Sequence, residues 1–429
     1  MKEDFLHYIW KYNKIRSNDL KTTDGSSLQI LSVGSHNTEN SGSDFFNSSL
    51  FIDDQKWAGN VEIHIKSSDW YIHGHETDKN YDNVILHVVW EDDVAIYRKD
   101  NSKIPALELK ELVDPEVFAA YENLVLSKEK STWLTCAKLL SQVPEFNIIR
   151  WKKQVYIERL LQKSEVIFAL TKNTHNDWEA VLYKMIAKGF GLNANGEAFA
   201  AMVNSFPYNL IKKYSKRPMQ LEALFFGQLK LLTVEIEDPY YQELQREYAF
   251  LKHKHKLSQE GLLSAEFFRL RPQNFPTIRL SQLAALLSKH NQLFTIVTTC
   301  DSLGQFYDAF SVKTSSYWER HYTFGKVSKR NVKQTSKSFI DLLVMNVVVP
   351  FLFAYNRSRG VEDHSKLLSI MESLQPEKNT VIREFEKSGM SMENAMDSQA
   401  YLQLKSQYCV KKKCLQCAFG NYFLNQYSV

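Results

Sequence analysis

The chain has 429 residues, 44% of them hydrophobic and 24% charged, which are the proportions of a globular protein with a large core. It contains no uninterrupted apolar run long enough for a transmembrane helix, and its start, MKEDFLHYIW, lacks the features of a signal peptide. The five cysteines are odd in number, which fits a reducing compartment better than a disulfide framework. We therefore expect a cytoplasmic protein with no membrane partner, and the sequence indicates no oligomeric state.

Charge is unevenly distributed along the chain. Residues 1–100 contain 10 Lys and Arg against 17 Asp and Glu, whereas residues 101–429 contain 43 against 32. An acidic part followed by a basic part suggests a region that holds a cation and a region that holds a polyanion. The excess is mild, and many proteins reach it without contacting nucleic acid.

The first hundred residues predict a small sheet. Residues 3–16 have the apolar spacing of a helix, and residues 20–34 predict a hairpin that turns at Asp24 and Gly25. A strand entered at Asp44 follows, and then come the strand VEIHIK, a short helix in SSDWYIHGH and the strand VILHVVWE. The predicted order is helix, hairpin, strand, strand, short helix, strand.

After Pro105 the apolar residues recur every three or four positions almost to the end of the chain. Asp114 and Pro115 form a typical helix start. We therefore predict an α+β protein with two domains. Residues 1–105 would form a small mixed-sheet domain with a nuclease-like core, and residues 106–429 a large, mostly α-helical domain with a cysteine cluster at its end.

The segment 42–91 contains four of the twelve histidines of the chain. Because side chains alternate along a strand, Glu62, His64 and Lys66 should share one face of VEIHIK. A carboxylate, an imidazole and an amine in one row suit a functional site, although one polar face of a strand is often only solvated.

Asp44 and the motif Glu62-x-His64 resemble the ligand pattern of restriction-type and resolvase-type nucleases. In that pattern an Asp at a strand start and a Glu on the next strand hold Mg²⁺ or Mn²⁺, and a Lys two residues after the Glu orients the attacking water. His64 stands at the usual Lys position here, so His64 or Lys66 would take the catalytic role. The structural alternative is that Asp44 caps a loop and Glu62 pairs with a cationic residue.

His73 and His75 predict a second type of metal site. Together with Asp78, Glu62, His64 and His87, these imidazoles would suit Zn²⁺, Mn²⁺ or Fe²⁺. They could equally be loop histidines bonded to backbone, and His87 could be a histidine of the core.

Cys409, Cys414 and Cys417 are separated by four and by two residues, a spacing typical of zinc and iron–sulfur ligands. A fourth ligand would have to come from Cys136, Cys300 or a histidine. The alternative is three unligated thiols.

Two basic stretches could bind the phosphates of a nucleic acid. One contains Arg269, Arg271 and Arg279 beside a helix start at Pro276, and the other contains Lys212 and Lys213. Both could equally be structural, with the arginines joining helices and the lysines solvated.

The motifs GNVEIHIKSSDW, NVILHVV, RPQNFPTIRLSQLA and KKCLQC resemble an uncharacterised bacterial family, a conserved domain of unknown function. This resemblance covers nearly the whole chain and implies no established activity. The N-terminal part looks like the PD-(D/E)XK nuclease superfamily.

From these patterns we expect a metal-dependent phosphodiesterase of the nuclease type that acts on nucleic acid. Two alternatives remain open: a non-catalytic module on an inactive nuclease-like core that binds nucleic acid or protein, and a hydrolase that uses histidines and a carboxylate around a transition metal.

Overall fold

The structure is a computed structural model that describes residues 1–17, 19–38, 41–126 and 133–426. Contacts divide the chain into two compact units. The first unit comprises Met1–Trp151, Asn379–Ser391 and Tyr401–Val429, and the second comprises Lys152–Lys378 and Met392–Ala400.

The first unit is built on a mixed sheet of seven strands. These are β1 (Leu20–Lys21), β2 (Ser27–Ser32), β3 (Ser35–His36), β4 (Phe45–Ile52), β5 (Gln55–Lys66), β6 (Val84–Glu91) and β7 (Ala106–Glu108). Their order is β1-β2-β4-β5-β6-β7, and β3 pairs with β4. Strands β1 to β5 pair antiparallel, whereas β6 is parallel to both β5 and β7.

The described residues also form eighteen α-helices. They are α1 (Glu3–Lys11), α2 (Asp69–Ile72), α3 (Pro115–Tyr121), α4 (Glu145–Asn173), α5 (Trp178–Phe190), α6 (Leu192–Asn204), α7 (Asn209–Tyr214), α8 (Pro218–Gln228), α9 (Pro239–His255), α10 (Pro276–Lys289), α11 (Leu293–Thr299), α12 (Leu303–Phe310), α13 (Lys337–Leu343), α14 (Val349–Ser358), α15 (Ser365–Ser373), α16 (Thr380–Lys387), α17 (Ala395–Leu404) and α18 (Ala418–Asn425). The predicted mixed sheet followed by a mostly helical region is thus confirmed. The sheet continues just past residue 105, because β7 pairs with β6.

Two tight turns bring the predicted strands together. Gly25, with φ +93°, turns the chain between β1 and β2 at the predicted position. Asp53 and Asp54 join β4 to β5, and the Asp53 carboxylate accepts a hydrogen bond from the amide of Ser27 at the start of β2. The register between β2, β4 and β5 is therefore fixed at this end of the sheet.

The parallel pairing of β5 with β6 requires a crossover, because parallel strands cannot be joined by a tight turn. The crossover is residues 67–83, which contain α2. Residues Val84–Val89 of β6 are all buried, as expected for a strand covered on both faces. Helix α1 also packs against β5 and β6, and it buries Phe5, Leu6 and Ile9.

The second unit is a helical assembly around one large hydrophobic core. Phe190, Phe199, Leu221, Phe226 and Leu244 are among its fully buried residues. Helices α13 and α14 belong to a continuous helical run, Lys337–Ser358, that passes through a π-helical turn at Val344–Val348. This run is long and apolar enough to cross a membrane by length and composition alone, but 72% of its most apolar window is buried inside the protein, as in a core helix.

Candidate functional site

Four side chains converge at the carboxyl-terminal part of β5. Glu62 and His64 lie on β5, and His73 and His75 lie in the turn that follows α2. We call these four residues the His–Glu cluster. Glu62 is 5% exposed and His64 is 2% exposed, so these two residues of the polar face of VEIHIK are buried, whereas Lys66 is exposed.

Local backbone geometry places the two histidines of the crossover. The Asp69 carboxylate accepts a hydrogen bond from the amide of Lys66, where β5 ends and α2 begins. Gly74 has φ +71°, a left-handed conformation that glycine adopts without strain, and it separates His73 from His75. The amide of His75 then donates to the carbonyl of Trp70, which turns the chain back toward β5.

The donor atoms of His64, His73 and His75 have the spacing of ligands around one cation, and Glu62 approaches two of these histidines. Glu62 Oε1 lies 3.7 Å from His64 Nε2 and 3.5 Å from His75 Nε2, and His64 Nε2 lies 3.0 Å from His73 Nδ1. One donor atom from each histidine lies within 4.8 Å of the others. Ligand bonds of about 2.1 Å in a tetrahedron place ligand atoms about 3.4 Å apart, so these separations suit a single ion.

Neighbouring rings orient the imidazoles. His64 Nδ1 lies 2.8 Å from His87 Nε2, and a neutral His64 that donates from Nδ1 presents its Nε2 lone pair to the cluster. His75 stacks on Tyr81 with ring centroids 3.8 Å apart, and Trp70 contacts it edge-on. Within the described part of the chain, His75 Nε2 is buried and makes no hydrogen bond, so this nitrogen is available as a ligand.

Burial controls the electrostatics of the cluster. Burial, and then repulsion from the Asp44 carboxylate, raises the pKa of Glu62 to about 9. Burial, and then the neighbouring imidazoles, lowers the pKa of His64 to about 2, and burial also lowers the pKa of His75. At neutral pH His64 and His75 are therefore neutral, and a divalent cation would replace the proton that Glu62 otherwise keeps.

Asp44 lies beside Glu62, as the motif predicted. Its amide donates to Glu62 Oε2 at 3.1 Å, and its own Oδ2 accepts from the amide of Ile63 at 3.0 Å. His7 Nε2 is 3.2 Å from the same Oδ2. Asp44 therefore extends the His–Glu cluster toward α1.

Lys66, which the motif offered beside His64 for the catalytic role, forms an ion pair with Glu91. Its ammonium lies 3.7 Å from Glu91 Oε1, and both side chains are about half exposed. In the described residues no ion pair joins Lys66 to Asp44 or Glu62. The structure thus brings together Asp44, Glu62, His64, His73 and His75 but not Lys66.

Sequence reasoning missed two residues of α1. His7 contacts Asp44, and the Asp44 carboxylate, after burial, is the second cause that raises the pKa of Glu3. Glu3 and His7 are one helical turn apart and so share a face of α1. The sequence did contain a signal for this contact: two ionisable residues share one face of a helix that otherwise buries Phe5, Leu6 and Ile9.

The three cysteines near the C-terminus are reduced, and Cys136 lies near them. In the described residues no three cysteine sulfurs lie within 4.8 Å of one another. The prediction of zinc or an iron–sulfur cluster stays a prediction and is developed below.

The basic candidates belong to the second unit and differ in exposure. Lys212, Lys213, Arg269 and Arg271 are exposed, and Lys212 pairs with Glu179. Arg279 is only 6% exposed. It donates to Gln282 and Asn274, and its guanidinium lies 3.5 Å from the ring centroid of Phe339. Its observed contacts are those of a packing residue, and its guanidinium is not on the surface where a nucleic acid would bind.

Comparison with known proteins gives one result. No curated protein and no solved structure matches the chain. A family model described as "Protein of unknown function (DUF2851)" matches residues 3–380, which is most of the chain, and the chain therefore belongs to this family.

Proposed function

We propose that this chain is a metal-dependent hydrolase of phosphodiester bonds in nucleic acid, with one transition-metal ion held by Glu62, His64, His73 and His75. The observation that carries the proposal is the spacing of the donor atoms, with Glu62 Oε1 at 3.7 Å and 3.5 Å from two imidazole nitrogens. A buried carboxyl group among neutral imidazoles is otherwise an unfavourable arrangement, and a cation relieves it.

The donor set favours particular metals. Imidazole nitrogen suits Zn²⁺, Mn²⁺ and Fe²⁺, whereas Mg²⁺ prefers oxygen ligands and retains several waters. Of the two ions expected from the nuclease-like motif, Mn²⁺ is therefore the better match to three histidines and one glutamate.

The chemistry that such an ion supplies is activation of a bound water and stabilisation of charge on the phosphoryl oxygens. Asp44 and His7 form an acid–base pair beside Glu62, with 3.2 Å between Asp44 Oδ2 and His7 Nε2. This pair can accept and release a proton next to the ion. His64 takes the position where the nuclease pattern has a lysine, and it serves as a ligand.

The preference for phosphodiesters rests on topology and charge. The first unit has α1, β2, β4, β5, α2 and β6 in chain order, which is the order expected for the nuclease-like core. Asp44 immediately precedes β4, and Glu62-x-His64 lies on β5, which pairs with β4. The exposed residues Lys212, Lys213, Arg269 and Arg271 of the second unit are candidates for phosphate contacts.

A second candidate is a module that binds nucleic acid without cleaving it. The observation that favours it is the engagement of Lys66 with Glu91, which leaves no lysine in the catalytic position of the nuclease pattern.

The test compares wild type with Glu62→Gln after removal of metals with a chelator and reloading with Mn²⁺, Zn²⁺ or Mg²⁺. Labelled single-stranded DNA, duplex DNA and RNA serve as substrates. Glu91→Gln is the matched control, since it makes the same substitution on the neighbouring strand outside the cluster. We expect Mn²⁺-dependent cleavage by wild type and by Glu91→Gln, and a loss of about 100-fold or more in Glu62→Gln.

Equal cleavage by wild type and Glu62→Gln would mean a contaminating nuclease and would overturn the proposal. Metal uptake and nucleic-acid binding without any cleavage would support the second candidate instead. The metal content of each protein, measured after dialysis, separates a lost ligand from a misfolded variant.

A further inference from the structure

The first unit contains four of the five cysteines. Cys136 lies in the segment before α4, and Cys409 ends a π-helical turn that continues α17. Cys414 begins a short 3₁₀ turn, and Cys417 directly follows that turn, just before α18. All four are reduced; Cys417 is buried and the others are partly buried. The fifth, Cys300, belongs to the second unit.

These four thiols form one group. Burial, and then repulsion from Cys417 and Cys414, raises the pKa of the Cys136 thiol to about 12. Burial, and then Cys417 and Cys136, likewise raises the pKa of Cys409. Each sulfur is thus within electrostatic range of the others, although Cys136 is remote from the other three in sequence.

Specific contacts hold the group together. The Lys405 ammonium donates to the carbonyl of Trp133 at 2.6 Å and lies 4.1 Å from the centroid of the Trp133 ring. These contacts join the segment before Cys136 to the π-helical turn that ends at Cys409. π-Helical turns within α-helices occur frequently at functional sites. At Gly420 a Cβ atom would lie 2.0 Å from the carbonyl oxygen of Cys414, so only glycine allows α18 to approach the 3₁₀ turn this closely.

Burial raises the pKa of all four thiols, and local hydrogen bonds and lysines act in the opposite direction. Backbone amides of Phe419 and Gly420, at the start of α18, hydrogen-bond to the sulfur of Cys417. The positive charge of Lys405 acts on Cys136 and Cys409, and that of Lys412 acts on Cys414. Hydrogen bonds to sulfur and nearby cations are what a cluster of metal-bound thiolates requires.

The spread of the sulfurs distinguishes between metals. Zinc bonds to sulfur of about 2.3 Å place tetrahedral thiolates about 3.8 Å apart. Among the described cysteines no three sulfurs lie within even 4.8 Å of one another. An iron–sulfur cluster has several iron and sulfide ions between its thiolates and therefore spans a wider group.

We propose that Cys136, Cys409, Cys414 and Cys417 together hold a four-iron, four-sulfide cluster, with Cys136 as the ligand that completes the C-terminal trio. The cluster links residues near 136 to residues 409–417 and so stabilises the first unit. It is independent of the His–Glu cluster and of the proposed hydrolase activity.

The test is metal and sulfide analysis of the full chain purified without oxygen, before and after incubation with ferrous iron, sulfide and a thiol reductant. We expect wild type to hold about four iron atoms and four sulfide ions per chain, with broad visible absorbance. Cys136→Ser and Cys414→Ser should each lose most of the iron, whereas Cys300→Ser, the matched control, should retain it.

Zinc without sulfide, or no iron uptake by wild type even after reconstitution, would overturn the proposal. Full iron retention by Cys136→Ser would overturn the assignment of the fourth ligand. The electron paramagnetic resonance signal of the dithionite-reduced wild type gives a reading that does not depend on how well the variants fold, and its absence from an iron-loaded sample would also contradict the proposal.

Discussion

The backbone amide of Asp44 donates a hydrogen bond to Oε2 of Glu62, and this contact, 3.1 Å long, joins the two carboxylate residues of the predicted motif. In return, the Asp44 carboxylate accepts from the amide of Ile63, the residue next to Glu62. The start of β4 and the carboxyl-terminal part of β5 are thus joined twice at the site. A mutation can remove the hydrogen bond that the Asp44 carboxylate accepts, but not the one that the Asp44 backbone amide donates.

We expect Asp44→Ala to lower the free energy of unfolding by about 1–2 kcal/mol, because the Ile63 amide loses its acceptor in a partly buried position. Asp44→Asn keeps an acceptor oxygen and should cost less. Urea unfolding of the metal-free proteins measures the difference. Equal stability of the two variants would show that the hydrogen bond to Ile63 contributes nothing.

Replacement of His64 should lower the metal content of the protein, whereas replacement of Lys66 should not. His64→Ala removes a donor atom of the His–Glu cluster, so the dialysed variant should contain little metal. Lys66→Ala removes one member of an exposed ion pair with Glu91, and such pairs contribute about 0–1 kcal/mol, so metal content and stability should change little. Elemental analysis and thermal unfolding provide the measurements. If Lys66→Ala kept its metal but lost cleavage, the lysine would regain the catalytic role that the motif gave it.

Metal should stabilise the folded chain. A ligand present at about 100 times its Kd adds about 2.7 kcal/mol when it binds only the folded state. Adding Mn²⁺ or Zn²⁺ to chelator-treated wild type should therefore raise Tm, and His75→Ala should abolish this rise. His253→Ala, which changes an exposed histidine of α9, is the control and should behave as wild type. A rise of the same size in His75→Ala would place the metal elsewhere.

Glu222 in the second unit predicts a pH dependence of stability. Burial raises its pKa above the ordinary value of 4.5, although the hydroxyl groups of Ser281, Tyr240 and Ser315 donate to it and act in the opposite direction. The folded state therefore keeps this proton to a higher pH than the unfolded state does. The resulting stabilisation is complete below the unfolded pKa and is lost as pH rises through the folded pKa.

Relative to Glu222→Gln, wild type should therefore lose stability as pH rises from about 4.5, by up to about 1.4 kcal/mol per pH unit. Urea unfolding of both proteins at several pH values between about 4 and 8 measures the difference. A constant difference across this range would mean that Glu222 has the same pKa in the folded and unfolded states.

Two helical glycines of the second unit form a matched pair. A Cβ at Gly227 of α8 would lie 2.1 Å from a ring carbon of Tyr248, whereas a Cβ at Gly304 of α12 would meet only Ser302 Oγ at 3.8 Å. Gly227→Ala should destabilise the protein by about 1–3 kcal/mol or more through overpacking. Gly304→Ala should stabilise it by about 0.5–1 kcal/mol through helix propensity. Thermal unfolding checks both, and similar effects of the two substitutions would contradict the packing argument.

Local sequence signals predicted much of the first unit. The alternation in VEIHIK and the continuous apolar run of VILHVV fix β5 and β6, because strand patterns depend on neighbouring residues only. The tight turn at Gly25 follows from the same kind of signal.

The site itself needed long-range information. The sequence placed Glu62, His64 and Lys66 on one face of a strand. Only the fold shows that Lys66 pairs with Glu91, and that His73 contacts His64 while His75 lies beside Glu62. The partners of Asp44 on α1 and the proximity of Cys136 to Cys417 likewise depend on tertiary packing, about which residue spacing carries no information.

The four donors of the His–Glu cluster all lie within residues 62–75, the last part of β5 and the turn after α2. Closing so short a loop costs little chain entropy compared with the pairing of β2 and β4 or with the approach of residues 409–417 to Cys136. We therefore expect the proposed ion to be captured early in folding, before the distant parts of the first unit are in place. On the ribosome, this segment would be ready to bind metal while most of the chain has yet to be synthesised.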